Sequence, residues 1–186
     1  MRELILKMAM SVDGFVSDLS GTNTWMFGAD DEARAWNVET LWNASLHIMG
    51  SRSFEAMAAW WPSSTDIFAP PMNEIPKAVF TRQGAAILDG ARDSWAQAHV
   101  AGGDLAEEIA RLKAQDGKPI LAHGGVTFAR SLVAYGLVDR FVLVVAPVAL
   151  GDGLSLFPPV ETPRRLQLVG SKAFPGGAVA QTYRPG

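Results

Sequence analysis

The 186-residue chain contains no cysteine. Disulfides, thiolate catalysis and cysteine-based zinc sites are therefore excluded. Histidine is scarce: His47, His99 and His123 are the only three, and no two stand four residues apart. A histidine-rich metal site is not expected, and no metal is assigned. Basic runs are missing and the net charge is −3. A positive face for nucleic acid is thus not expected. The longest apolar run, 141–150, is interrupted by Pro147 and falls well short of a membrane span. The first residues, MRELILK, carry charge inside their apolar run, unlike a signal peptide. The expected setting is cytoplasmic, with neither nucleic acid nor membrane as partner. Three familiar fingerprints are also missing. No Gly-x-Gly-x-x-Gly follows the first apolar run, and there is neither a P-loop nor a Gly-x-Ser-x-Gly elbow. A dinucleotide bound here is not bound in the usual Rossmann manner.

What is present is a foldable chain, 48% hydrophobic and 19% charged. Its length suits one domain over 1–186. Strands are expected at 4–10, 46–50, 77–81, 118–122 and 140–146. The last of these is continuously apolar and β-branched, as in a strand buried on both faces. Asp30, Asp31 and Glu32 mark the start of a helix reaching about Asn43. Further helices are expected at 51–59 and at 126–135, the latter ended by Gly136 in the left-handed conformation. Asp104 caps an amphipathic helix. Leu105, Ile109 and Leu112 form its inner stripe, and Glu107, Glu108, Arg111 and Lys113 are assigned to water. The stretches 165–169 and 178–183 flank Pro175-Gly176-Gly177 and read as an antiparallel hairpin. Strand and helix alternate about four times before that hairpin. This pattern predicts a three-layer α/β domain with a mostly parallel sheet and an antiparallel edge.

Four loops follow predicted strands: 10–17, 50–54, 81–82 and 123–127. Ligands of open α/β sheets bind at the carboxyl ends of strands, so the four point to one edge. His123-Gly124-Gly125-Val126-Thr127 offers close backbone approach and a helix N-terminus to an anion. It equally suits a tight strand-to-helix turn. Gly50-Ser51-Arg52-Ser53 is a second glycine-led turn, whose serines also suit helix capping. Thr81 and Arg82 suit a phosphate monoester, although Arg82 alone also suits a solvated cation. Together the three segments suggest a ligand with separate phosphate groups. Asp13, Asp30 and Asp31 are the acidic candidates. Asp13 suits a turn, whereas Asp30 and Asp31 suit capping or proton donation. Six tryptophans lie between positions 25 and 95. Trp25, in the loop before the first helix, could border a flat ring.

Several blocks resemble the dihydrofolate reductase-like superfamily, in the same order and over nearly the whole chain. They are MAMSVDGF at 8–15, LHIMGSRSFE at 46–55, AVFTR at 78–82, the His-Gly-Gly block and PVALGDGLSLF at 147–157. Within it, the chain is most similar to the reductase domain of bacterial riboflavin-biosynthesis enzymes and its stand-alone relatives. The resemblance implies a central sheet of about eight strands and NADPH as hydride donor. By position, Ala9 and Val16 would flank the nicotinamide. Gly50, Ser51, Arg52 and Ser53 would meet phosphates, and Thr81 and Arg82 would hold the adenosine 2′-phosphate. His123, Gly124, Gly125, Val126 and Thr127 would wrap the pyrophosphate. Ser11, Asp13, Trp25 and Phe54 would meet the substrate, and Asp30 or Asp31 would supply a proton. The family block usually reads Gly-Arg-x-Thr where this chain has Ser51 and Ser53, and His123 occupies the first place of a usual glycine triplet. The resemblance also implies a homodimer. The expected activity is NADPH-dependent hydride transfer to a C=N or C=O bond of a small substrate, as in 5-amino-6-(5-phosphoribosylamino)uracil reductase or dihydrofolate reductase. A non-catalytic NADP-binding module and a flavin-binding protein are the alternatives on the same fold.

Overall fold

The computed structural model describes residues 1–28, 30–157, 159 and 163–186. The chain opens with β1 (Leu4–Ser11), β2 (Phe15–Ser17), α1 (Asp31–Trp42), β3 (Leu46–Gly50) and α2 (Ser51–Trp60). There follow α3 (Ala69–Glu74), β4 (Lys77–Phe80), β5 (His99–Ala101), α4 (Leu105–Ala114) and β6 (Ile120–Ala122). It ends with α5 (Val126–Ala134), β7 (Arg140–Ala146), β8 (Leu154–Ser155), β9 (Leu166–Ala173) and β10 (Val179–Pro185). Eight strands form one sheet in the order β5-β4-β3-β6-β1-β7-β10-β9, and β2 pairs with β8 apart from it. From β5 to β7 all neighbours are parallel. The hairpin adds β10 antiparallel to β7, and β9 antiparallel to β10. The expected alternation and antiparallel edge are both present.

A period of two sends alternate side chains to opposite faces of the sheet. Leu4, Leu6 and Met8 of β1 share one face with Ile48 and Ile120, covered from α4 and α5 by Ile109, Leu112 and Leu132. Ile5, Met49, Val79 and Leu121 face the other way. Leu41, Phe54 and Met72, from α1, α2 and α3, pack there. Farther across that face, Ala33 and Trp36 of α1 meet Val144, Phe174 and Ala180. Each fully buried aliphatic or aromatic side chain contributes about 1.5–3 kcal/mol relative to exposure.

Differences from the expected elements have local causes. The strand expected at 118–122 starts at Ile120, because Pro119 has no N–H to give a ladder. Glu108 does not face water: it is buried on α4 within 3.4 Å of the Arg111 guanidinium. Lys113 also turns inward, donating to the Leu137 carbonyl and pairing with Asp139 at 2.6 Å. A stripe read from hydropathy assigns every charge to solvent, whereas these two are neutralised locally. Gly136 behaves as expected. Its φ is +65°, and its N–H donates to the Val133 carbonyl while Leu137 donates to Leu132.

Candidate active site

Parallel strands release their connections at one edge. β4, β3, β6 and β1 are consecutive neighbours, so the loops at 81–82, 50–54, 123–127 and 10–17 leave the sheet side by side. Capping distinguishes the helices that follow. The Asp30 carboxylate accepts from Ala33 N–H at the start of α1, and Asp104 accepts from Ala106 and Glu107 at the start of α4. By contrast α2 starts from Gly50 and α5 from Gly125, and neither has a side-chain cap. Their first N–H groups lack intrahelical partners, and each helix puts its positive end at the same edge. The two N-termini also touch. Gly125 has φ +84°, and a Cβ there would stand 3.0 Å from Ser53 Oγ; one on Gly50 would stand 3.1 Å from Phe128 Cβ. Only glycine gives both the left-handed turn and this approach. Beside them Arg52 and Arg82 are exposed. Neither forms an ion pair with a described residue. Thr81 is half-buried, its Oγ1 accepting from Gln83 N–H.

On the face shared by α1 and α2, Lys7 and Ala9 of β1 lie near His123, the residue that follows β6. Lys7 lies in register with Val142, and Ala9 with Val144. His123 follows Ala122, the partner of Leu6, and so stands beside Lys7. The Lys7 ammonium has no hydrogen-bond or ion-pair partner among the described residues, and burial pushes its pKa down to about 8. The His123 ring meets His47 edge to face, with centroids 4.5 Å apart. Burial first, then His47 and Lys7, hold the His123 pKa well below the usual imidazole value. Burial lowers His47 to about 4, which the backbone of Leu41 opposes, while Lys77 and Lys7 add to the lowering. The sequence motifs do not point to Lys7. Its signal is a lone lysine inside the buried run LILKMAM, where an ammonium needs a reason.

Most of the expected cofactor residues stand together at this edge; several others have different tasks. Phe54 is fully buried and packs on Trp95, with ring centroids 5.6 Å apart, so it meets no substrate. Val16 is 2% exposed, and its side chain belongs to the core rather than to a nicotinamide contact. Ser11 is buried. Its Oγ donates to Asp13 and accepts from Phe15 N–H. Asp13 also accepts from the N–H groups of Leu150 and Gly151, tying the first turn to that loop. Those hydrogen bonds, led by the one from Ser11, lower the Asp13 pKa to about 2. Asp30 is occupied at both oxygens, by Ala33 N–H and by Gly176 N–H, and these bonds lower its pKa. Held ionised, it is a poor proton donor. Asp31 is exposed in the first turn of α1. His123 gives its backbone N–H to Ile48 and turns its ring toward His47, so neither wraps an anion. Trp25 is half-buried, and its indole N–H is enclosed without a partner. On α1 the Asn37 Oδ1 is likewise enclosed and unpartnered.

A surface groove of about 570 Å³ between Arg34, Trp60 and the 63–67 segment contains none of the four loops. Among the described residues no three His, Asp or Glu side chains cluster as a metal site, and no helix is long and apolar enough to cross a membrane.

Comparison with known proteins follows the same lines. The sequence pattern of the RibD C-terminal domain matches residues 2–180. The uncharacterized protein YyaP of Bacillus subtilis (strain 168) is 28% identical over 182 residues, covering 98% of this chain and 94% of YyaP. A putative riboflavin biosynthesis protein from Shewanella sp. PV-4 superposes with a TM-score of 0.75 at 20% identity over 99% of both chains. A dihydrofolate reductase from Enterococcus faecalis, solved with NADP(H), does so with a TM-score of 0.62 at 12% identity over 98% of this chain and 96% of that one. These two structures have the same fold.

Proposed function

The chain belongs to the RibD C-terminal domain family, and from that premise we propose that it is an NADPH-dependent reductase acting on a C=O or C=N bond of a small substrate. The observation that carries the reading is the pair of uncapped helix N-termini, α2 and α5, in contact at the carboxyl edge of a parallel sheet. Uncapped N–H groups beside two free guanidinium groups suit a ligand with several phosphates. The N–H groups of Val126 and Thr127, with the open turn at Gly124 and Gly125, would hold the pyrophosphate, together with the start of α2 at Ser51–Ser53. Thr81 and Arg82 would hold the 2′-phosphate. The small side chain of Ala9 leaves room for a flat ring against β1. Bound in this way, the cofactor supplies the hydride.

The remaining groups of the cleft would treat the substrate. Lys7 offers an ammonium with no protein acceptor, suited to a carbonyl oxygen or ring nitrogen next to the reduced bond. A lowered pKa makes it a better proton donor near neutrality than an ordinary lysine. Membership of the RibD C-terminal domain family and the NADP(H) found with the enterococcal dihydrofolate reductase of the same fold support this reading. The same reading includes a homodimer, supported by the long edge strand β9 and its exposed Leu168 and Val169. Light scattering should then give twice the 19.9 kDa chain mass.

The deciding experiment is titration of the protein with NADPH and NADH, followed by tryptophan fluorescence and calorimetry. Saturable NADPH binding, with NADPH oxidation on adding a ring-bearing ketone or imine, is the expected result. Binding of neither nucleotide below about millimolar, roughly 4 kcal/mol, overturns the cofactor assignment. Binding without oxidation by any candidate substrate leaves a nucleotide-binding module instead.

A further inference from the structure

Two histidines in edge-to-face contact lie beneath the cleft, and nothing in the proposed reaction uses them. His47 is fully buried on β3, opposite Lys77 of β4 and Leu121 of β6. His123 lies one pleat nearer the carboxyl edge, level with Met49 and beside Lys7. Neither ring nitrogen of His47 has a well-formed hydrogen bond, and His123 Nε2 is enclosed without one. Unsatisfied buried nitrogens cost roughly 1–3 kcal/mol each. Such a pair is costly as core filling, where two apolar rings would serve.

We infer that the edge-to-face His47–His123 pair is a positioning device for Lys7: it walls off the core side of the lysine, so that the cleft is where its ammonium finds an acceptor. The groups packed around Lys7 fit this role. On its own face its neighbours are His123, Val142 and, behind it on β1, Ile5. No carboxylate contacts Lys7, His47 or His123 among the described residues. Lys77, a buried lysine of the same face, donates to the Asn73 carbonyl and to Ser94 Oγ. Arg140, opposite Ile5, pairs with Glu3. The imidazoles stay neutral in this setting, and an edge-to-face pair of neutral rings is a rigid wall that repels neither lysine. The inference rests on the reading of this cleft as a reductase site, because only there does a free ammonium have a purpose.

The test uses the apo protein labelled with ¹³Cε-lysine, with the Lys7 resonance assigned by its loss in Lys7→Arg. A pH titration of wild type should show Lys7 with a midpoint near 8, against about 10.4 for an ordinary lysine. His123→Gly opens the wall to water and should move the midpoint up by about one unit or more, toward the ordinary value. His123→Phe keeps the wall without titrating and should hold the midpoint near that of wild type. An ordinary midpoint in wild type, or equal midpoints in wild type and His123→Gly, overturns the inference. So does a midpoint in His123→Phe that follows His123→Gly. Folding of each variant is read from the same spectra. Since no nucleotide is present, failure here is separate from failure of the cofactor assignment, which appears as lost NADPH binding with the Lys7 titration intact.

Discussion

At the end of β4 the Arg82 guanidinium is exposed and has no carboxylate against it among the described residues. A hydrogen bond to a charged group contributes about 1.5–3 kcal/mol, roughly 10–150-fold in affinity. Arg82→Ala should therefore weaken NADPH by at least about tenfold and leave NADH nearly unchanged. Equal losses for both nucleotides in calorimetry would remove Arg82 from the 2′-phosphate. Asp30 invites a different comparison. Its two oxygens bind Ala33 N–H and Gly176 N–H, so it fastens α1 to the β9–β10 turn. Loss of a general acid costs about 10²–10⁴-fold in rate. Asp30→Asn should lower the melting temperature while kcat falls far less than that. A kcat collapse with unchanged melting would restore Asp30 as proton donor. Phe54→Ala should be a stability variant, costing about 3–5 kcal/mol in urea unfolding because a fully buried ring leaves a cavity under Trp95.

Among the elements, α5 depends on one backbone conformation. Gly125 sits at φ +84°, and a Cβ there would stand 3.0 Å from Ser53 Oγ. A left-handed conformation costs an L-residue about 1–2 kcal/mol, and the contact adds to that. Gly125→Ala should thus lower stability by at least about 1 kcal/mol. It should also weaken NADPH and NADH alike, since both share the pyrophosphate. An unchanged affinity for both would separate this turn from cofactor binding. Period-two runs such as 46–50 and the glycine-led turns after them stand out because strand ends and helix starts are local events. The carboxyl-edge loops were therefore legible before the strand order was known. Three short elements, β2, β5 and β8, are too brief to show a period and depend on pairing partners distant in the chain. Phe54 and Glu108 fail for a related reason. Each lies near a recognisable helix start, but its burial is fixed by what a neighbouring element brings, Trp95 for Phe54 and the fold of α4 against the sheet for Glu108. Lys7 is the converse: hydropathy places it in a core strand, and its missing partner among the described residues shows only once the strands are assembled.

At the scale of the whole molecule, the buried bases set how stability varies with pH. His47 has a folded pKa of about 4, against 6.5 for an exposed imidazole. Between those values the unfolded chain binds a proton that the folded chain refuses. Stability therefore rises with pH across that window and is lost as pH falls from about 6.5 toward 4. A shift of this size corresponds to something on the order of 3 kcal/mol. His123 is lowered as well and acts in the same direction. Lys7 and Lys77 act higher, each lowered from 10.5 to about 8 by burial. In that range the unfolded chain again holds the extra protons, so these two favour the fold increasingly as pH rises from 8 to 10.5. All four groups thus tilt the stability curve the same way, and acid is the harmful direction. Urea midpoints measured from pH 7 down to pH 4 should decline, and the decline should be shallower in His47→Leu, which has no imidazole to charge. The comparison of slopes is what matters, because the substitution can shift stability at every pH without altering its pH dependence. Parallel declines in the two proteins would show that carboxylates such as Asp13 and Asp30, and not the paired imidazoles, govern unfolding in acid.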